Sequence, residues 1–149
     1  MFKAIVLCGM LVVAGSALAE ERIVTIDGGQ ISVPVGLTVQ VKSVTLGDDA
    51  TRIRLLASFD SHVTNFVELN GGENAYLRWG DALEQRLHMR QVGDNKWMRV
   101  VNGETMEGDL VFPGKIPGDA GRLTLVFNEG KPADDADAPG VTIPLEIRP

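Results

Sequence analysis

The stretch from Trp97 to Asn128 constrains this chain most, because its apolar residues recur with a period of two and are broken by turn chemistry. Met106, Gly108, Leu110 and Phe112 fall on one face while Thr105, Glu107 and Asp109 fall on the other, as in a strand with one dry and one wet side. Asn102-Gly103 separates this run from Trp97-Met98-Arg99-Val100-Val101. Asn-Gly between alternating segments predicts a type I′ hairpin, whose two central residues both need φ > 0. After Pro113 to Asp119 the alternation resumes as Leu123, Leu125 and Phe127 against Arg122, Thr124 and Asn128, with Val126 the one apolar residue on the outer side. The expectation is three adjacent antiparallel strands at the centre of a sheet.

The same pattern runs through the rest of the chain. Arg22–Ile26 and Gln30–Val33 flank Asp27-Gly28-Gly29, which reads as a small hairpin. In Leu37 to Val44, Leu37, Val39 and Val41 share a face, and Val44 falls out of phase, so a bulge or the end of the strand is expected near Ser43. Arg52 to Asp60 alternates Ile53, Leu55, Ala57 and Phe59 with polar residues and reads as a central strand. His62 to Leu69 is a less regular strand, and Ala75 to Trp79 a short amphipathic one. Two patterns compete after Asp81. Asp81 and Glu84 have the spacing of a capping box, whereas Arg86, His88 and Arg90 alternate with Leu87 and Met89. The alternation is the longer signal and predicts a strand from Arg86 to Val92, hairpinned to Trp97. In the last strand, Val141 to Arg148, Pro144 has no N–H for a ladder and so marks an edge.

Many short strands, about eight or nine, with no convincing long helix predict an all-β antiparallel sandwich. The strands Leu37–Val44, Arg52–Asp60, Gly108–Phe112 and Leu123–Phe127 together resemble the secreted immunoglobulin-like domains of unknown function found in bacterial lipoproteins and mycobacterial immunoprotective antigens. The resemblance covers Leu37 to Arg148 and lies in strand order. It implies an immunoglobulin-like fold and no particular site.

The front of the chain predicts a compartment. Met1-Phe2-Lys3 is a short basic start, Ala4 to Gly15 is apolar, and Ala17-Leu18-Ala19 before Glu20 has the small residues of a signal-peptidase site. The apolar run falls short of the ~20 residues that span a bilayer. The expectation is a signal peptide over residues 1–19, a single domain over 20–149, and a periplasmic or secreted product with no transmembrane segment. Cys8, the sole cysteine, lies inside the leader rather than at its end, which departs from the lipoprotein members and leaves the mature chain without thiol or disulfide. The formal charge is −6, and loss of Lys3 makes it one unit more acidic. An acidic chain is a poor match for nucleic acid or anionic lipid as a broad surface partner.

Four constellations offer residue types that can carry chemistry. Ser61 and His62 are neighbours, so on a strand they face opposite sides and cannot share a proton, and no G-x-S-x-G occurs. His88, Met89, Met98 and Met106 are a candidate soft-metal set, since imidazole and thioether suit Cu(I); methionines on an inward face are more often gap-fillers of the core. Asp134, Asp135 and Asp137 lack the glycine-turned spacing of an EF-hand and read as a solvated loop. Among Tyr76, Trp79, Trp97 and the arginines, Trp97 and Arg99 stand two apart, with Arg90 expected on the paired strand. That aromatic and guanidinium set predicts a partner-binding face, against the simpler alternative of an intramolecular cation–π contact. The sequence therefore predicts a non-enzymatic module, with no cofactor, that binds a protein or an envelope component. A periplasmic copper-binding protein is the alternative.

Overall fold

A computed structural model describes residues 20–90 and 94–148. The expected signal peptide and positions 91–93 of the strand expected up to Val92 lie outside the described residues. The chain is almost entirely β, with twelve strands among the described residues, more than the eight or nine expected, and one short 3-10 turn at Leu83–Gln85. Among the described residues no helix is long and apolar enough to cross a membrane.

The first sheet contains β1 (Arg22–Val24), β3 (Gln30–Val33), β4 (Leu37–Leu46), β5 (Ala50–Phe59) and β10 (Thr105–Pro113); β1 and β3 both pair with β4, which pairs with β5, which pairs with β10. The second runs β2 (Ile26–Gly28), β12 (Val141–Ile147), β11 (Arg122–Phe127), β7 (Tyr76–Arg78), β8 (Arg86–His88). A separate two-stranded ribbon joins β6 (Phe66–Glu68) to β9 (Arg99–Val101). Every ladder is antiparallel.

Burial follows the alternation read from the sequence in β4, β5 and β12 but not in β11, where Thr124 and Val126, and Asn128 just after it, are buried although the pattern puts them on the outer side. Leu37, Val39, Val41, Ile53, Leu55, Ala57, Phe59 and Phe112 of the first sheet join Leu77, Leu123, Leu125, Phe127, Val141, Ile143 and Leu145 of the second in one apolar cluster. β5 is central, between β4 and β10. Of the two expectations near Ser43, the strand continues and the bulge forms: the β4–β5 register shifts between Val41 and Ser43, making Lys42 the extra residue and returning Val44 to the core.

The expected local pairings mostly do not form. Gly103 has φ +82, but Asn102 is not among the residues of positive φ, so the turn has a type II signature rather than I′. Such a turn closes, with Glu104 N–H donating to Val101 O at 2.9 Å, yet its twist splays the flanking strands. β9 therefore pairs with β6, β10 with β5, and β11 lies in the opposite sheet, so the three strands expected side by side belong to three different sheets. Asp27-Gly28-Gly29 is likewise a crossing rather than a hairpin: β1 and β3 pair with β4, while β2 between them pairs with β12. Positive φ at Gly28 and Gly29 makes the step, and a Cβ on Gly29 would sit 2.7 Å from Leu145 Cδ2.

Three further expectations are corrected. β8 pairs with β7, not with the segment at Trp97. Of His62 to Leu69, only Phe66–Glu68 is strand. β12 is no edge, because β2 covers its other side. Pro144 is tolerated there because its carbonyl, and hence its nitrogen, faces the point where β2 ends; Gly29 N–H donates to Pro144 O at 3.2 Å.

Candidate functional site

Trp97, Arg99 and Arg90 do not lie on one pair of strands. Met98 has φ +51 and its N–H donates to Asn95 O at 3.0 Å, so the chain turns at Met98 and β9 starts at Arg99. Trp97 precedes the strand, 44% exposed, with Lys96 Nζ 5.5 Å from its ring. Arg90 pairs instead with Val111, its N–H donating to the Val111 carbonyl at 2.8 Å. The i, i+2 argument fails because it needs extended backbone at Met98.

Arg99 belongs to a different constellation, the outer face of the β6–β9 ribbon. Phe66 lies opposite Val101 and Glu68 opposite Arg99, whereas Val67 and Val100 between them are buried. The Arg99 guanidinium carbon lies 4.1 Å from the Phe66 ring centre, and Nη2 and Nε donate to Glu68 Oε1 at 2.7 and 3.2 Å. Val63, just before β6, is 71% exposed, and Phe66 and Val101 are also exposed. This small sheet thus has its inner side in the core and its outer side uncovered among the described residues. Sequence reading missed Phe66 because its partner Val101 is brought to it only by the ladder.

The methionines and His88 part company. Met89 and Met98 line a cavity of about 30 Å³ with Leu110, and Met98 and Met106 line an adjoining hollow of about 230 Å³ with Leu55 and Leu110. Asn95 Nδ2 donates to Met106 Sδ at 3.6 Å. His88 instead meets Tyr76 edge to face, ring centres 6.1 Å apart, on β7–β8. Among the described residues no three His, Cys, Asp or Glu side chains come together as a metal site.

The outer face of the second sheet carries another group of polar side chains. Register places His88, Tyr76, Val126 and Thr142 in one row across it, and Arg86, Arg78, Thr124 and Pro144 in the next. Tyr76 is buried and its hydroxyl donates to Glu129 Oε1 at 2.9 Å. Burial, and then that hydrogen bond, push the tyrosine pKa up from its ordinary value. The Arg86 guanidinium covers the Tyr76 ring at 4.4 Å and reaches Glu129 Oε2 only at 3.9 Å. Arg78 pairs with Asp81 at 2.9 Å.

Of the remaining candidates, Ser61 and Asp135 are engaged by backbone N–H groups. Ser61 Oγ accepts from Val63 N–H at 3.0 Å, while His62 is exposed in an irregular segment. Asp135 Oδ1 accepts from the N–H groups of Asp137 and Ala138 at 2.9 and 2.8 Å, and these bonds hold its carboxyl below the usual range. Asp135 therefore caps its own loop. Compared with known proteins, the chain matches no family model, no curated protein and no solved structure.

Proposed function

We propose that this chain is a non-enzymatic immunoglobulin-like β-sandwich module, periplasmic or secreted after cleavage near Ala19, that binds a protein or a component of the cell envelope. The observation that carries the reading is the outer face of the β6–β9 ribbon, where Phe66, Val101 and Val63 are exposed beside the Arg99–Glu68 pair, with Trp97 exposed at the head of β9. Aromatic side chains and arginine are the residues enriched at protein interfaces, and the Phe66–Arg99 stack presents both in a fixed arrangement. The compartment rests on the leader pattern of Met1 to Glu20. The immunoglobulin-like reading rests on two antiparallel sheets that share one apolar cluster.

The copper reading has less support. Met89, Met98 and Met106 gather near Leu110, but the imidazole of His88 lies over Tyr76.

Quantitative retention on immobilised envelope fractions tests the proposal. Trp97→Ala and Arg99→Ala lower retention while leaving the melting midpoint nearly unchanged, since exposed substitutions usually shift stability by no more than about 0.5 kcal/mol. Full retention by both stable variants ends it.

A further inference from the structure

We propose that Met106 is an oxidant-sensitive site whose conversion to the sulfoxide by a peroxide loosens the outer face of the β6–β9 ribbon, an inference that rests on that face being the binding surface. Asn95 is the link. Its Oδ1 accepts from Arg99 N–H at 2.9 Å and its Nδ2 donates to Arg99 O at 3.1 Å, so one carboxamide holds the outer edge of β9 as a neighbouring strand would. The backbone carbonyl of Asn95 also accepts from Met98 N–H at 3.0 Å, which fixes the left-handed turn leading into the strand. The same Nδ2 donates to Met106 Sδ at 3.6 Å. Beyond this clasp the Arg99 guanidinium bonds Glu68 and covers Phe66. A change at the Met106 sulfur therefore reaches the exposed face through Asn95.

Met106 is the methionine placed to react. Cys8 falls in the expected leader, so thioethers are the only sulfur of the mature chain. Met98 is 6% exposed, whereas Met106 is half-buried and lines the hollow of about 230 Å³ to which the exposed Asp94, Glu107 and Asp109 also contribute. In the reaction the thioether sulfur attacks one oxygen of hydrogen peroxide, the O–O bond breaks, and the other oxygen leaves as water after proton transfer. The sulfur gives up two electrons and the peroxide takes them. The product is polar, and its oxygen is a stronger acceptor than a thioether. It sits poorly against Leu55, Met98 and Leu110, and it competes with Arg99 O for the Asn95 amide. The clasp on β9 then opens, and Arg99 loses its fixed position beside Phe66.

The test treats the full mature chain with hydrogen peroxide and reads oxidation at each methionine by peptide mass. It follows the Asn95 side-chain and Arg99 backbone amide resonances together with retention on immobilised envelope fractions. Met106 is expected to oxidise several-fold faster than Met98, the Asn95 and Arg99 signals to shift as it does, and retention to fall several-fold while the chain still melts cooperatively. Met106→Leu, which nearly conserves volume and has no sulfur to oxidise, keeps its retention in peroxide. Asn95→Asp keeps the acceptor for Arg99 N–H but lacks the donor shared with Met106, and its retention no longer depends on Met106 oxidation. Unmoved Asn95 and Arg99 signals in chain whose Met106 is oxidised overturn the proposal. Loss of retention in Met106→Leu equal to that of the wild type overturns it as well. If untreated chain is not retained at all, the binding reading fails instead, and the resonances alone decide whether Met106 is coupled to Arg99.

Discussion

Asn102 holds both backbone atoms of Ser61: its Oδ1 accepts from Ser61 N–H at 2.8 Å and its Nδ2 donates to Ser61 O at 2.8 Å. With Gly103 N–H donating to Phe59 O at 2.8 Å, the side chain clamps the end of β5 to the turn between β9 and β10. Asn102→Ala leaves a buried or half-buried donor and acceptor unpaired, at a cost of about 1–3 kcal/mol. Denaturant melts check this, and a change below about 0.5 kcal/mol, typical of an indifferent surface site, contradicts it.

The core face of the first sheet thins toward its β10 edge. Leu125 is fully buried in the second sheet, whereas Leu110 on β10 is only half-buried. Leu125→Ala is expected to cost ~2–5 kcal/mol, with Leu110→Ala below that range and exposed Thr105→Ala lowest. Equal losses at the three positions in the same melts contradict the assignment of faces.

Tyr76 is the only tyrosine, so an ultraviolet titration of phenolate reads it alone. Burial and Glu129 raise its pKa in the fold, which means the folded chain binds that proton more tightly than the unfolded chain does. The resulting stability is present below the unfolded value of about 10 and is lost as pH rises through the folded value. Glu129→Gln moves the midpoint back toward the ordinary value without reaching it, because burial remains. A wild-type midpoint at or below the ordinary value contradicts this.

Local alternation was legible; the partnering of strands was not. The faces of β4, β5 and β10 and the irregularity between Val41 and Ser43 follow from a period of two, which each strand carries in its own residues, whereas β11 is buried on both faces. Which strands pair depends on how turns twist, and Asn102-Gly103 and Gly28-Gly29 look alike in sequence whether they close a hairpin or pass the chain between sheets. The same gap explains the candidate sites. Trp97 and Arg99 were joined by spacing alone, and a left-handed Met98 undoes that spacing. Phe66 and Val101, or Tyr76 and Glu129, meet only through ladders and loops that no spacing rule contains.

Site-specific photocrosslinking in intact cells tests the binding face most directly. A photoreactive residue replaces Val101 on the outer side of the ribbon or, as the control, Glu107 on the exposed face of β10. The account predicts a discrete adduct from position 101 that is lost when Phe66→Ser is added with the melting midpoint unchanged, and no adduct from position 107. The same adducts from both positions, or none from position 101, contradict it.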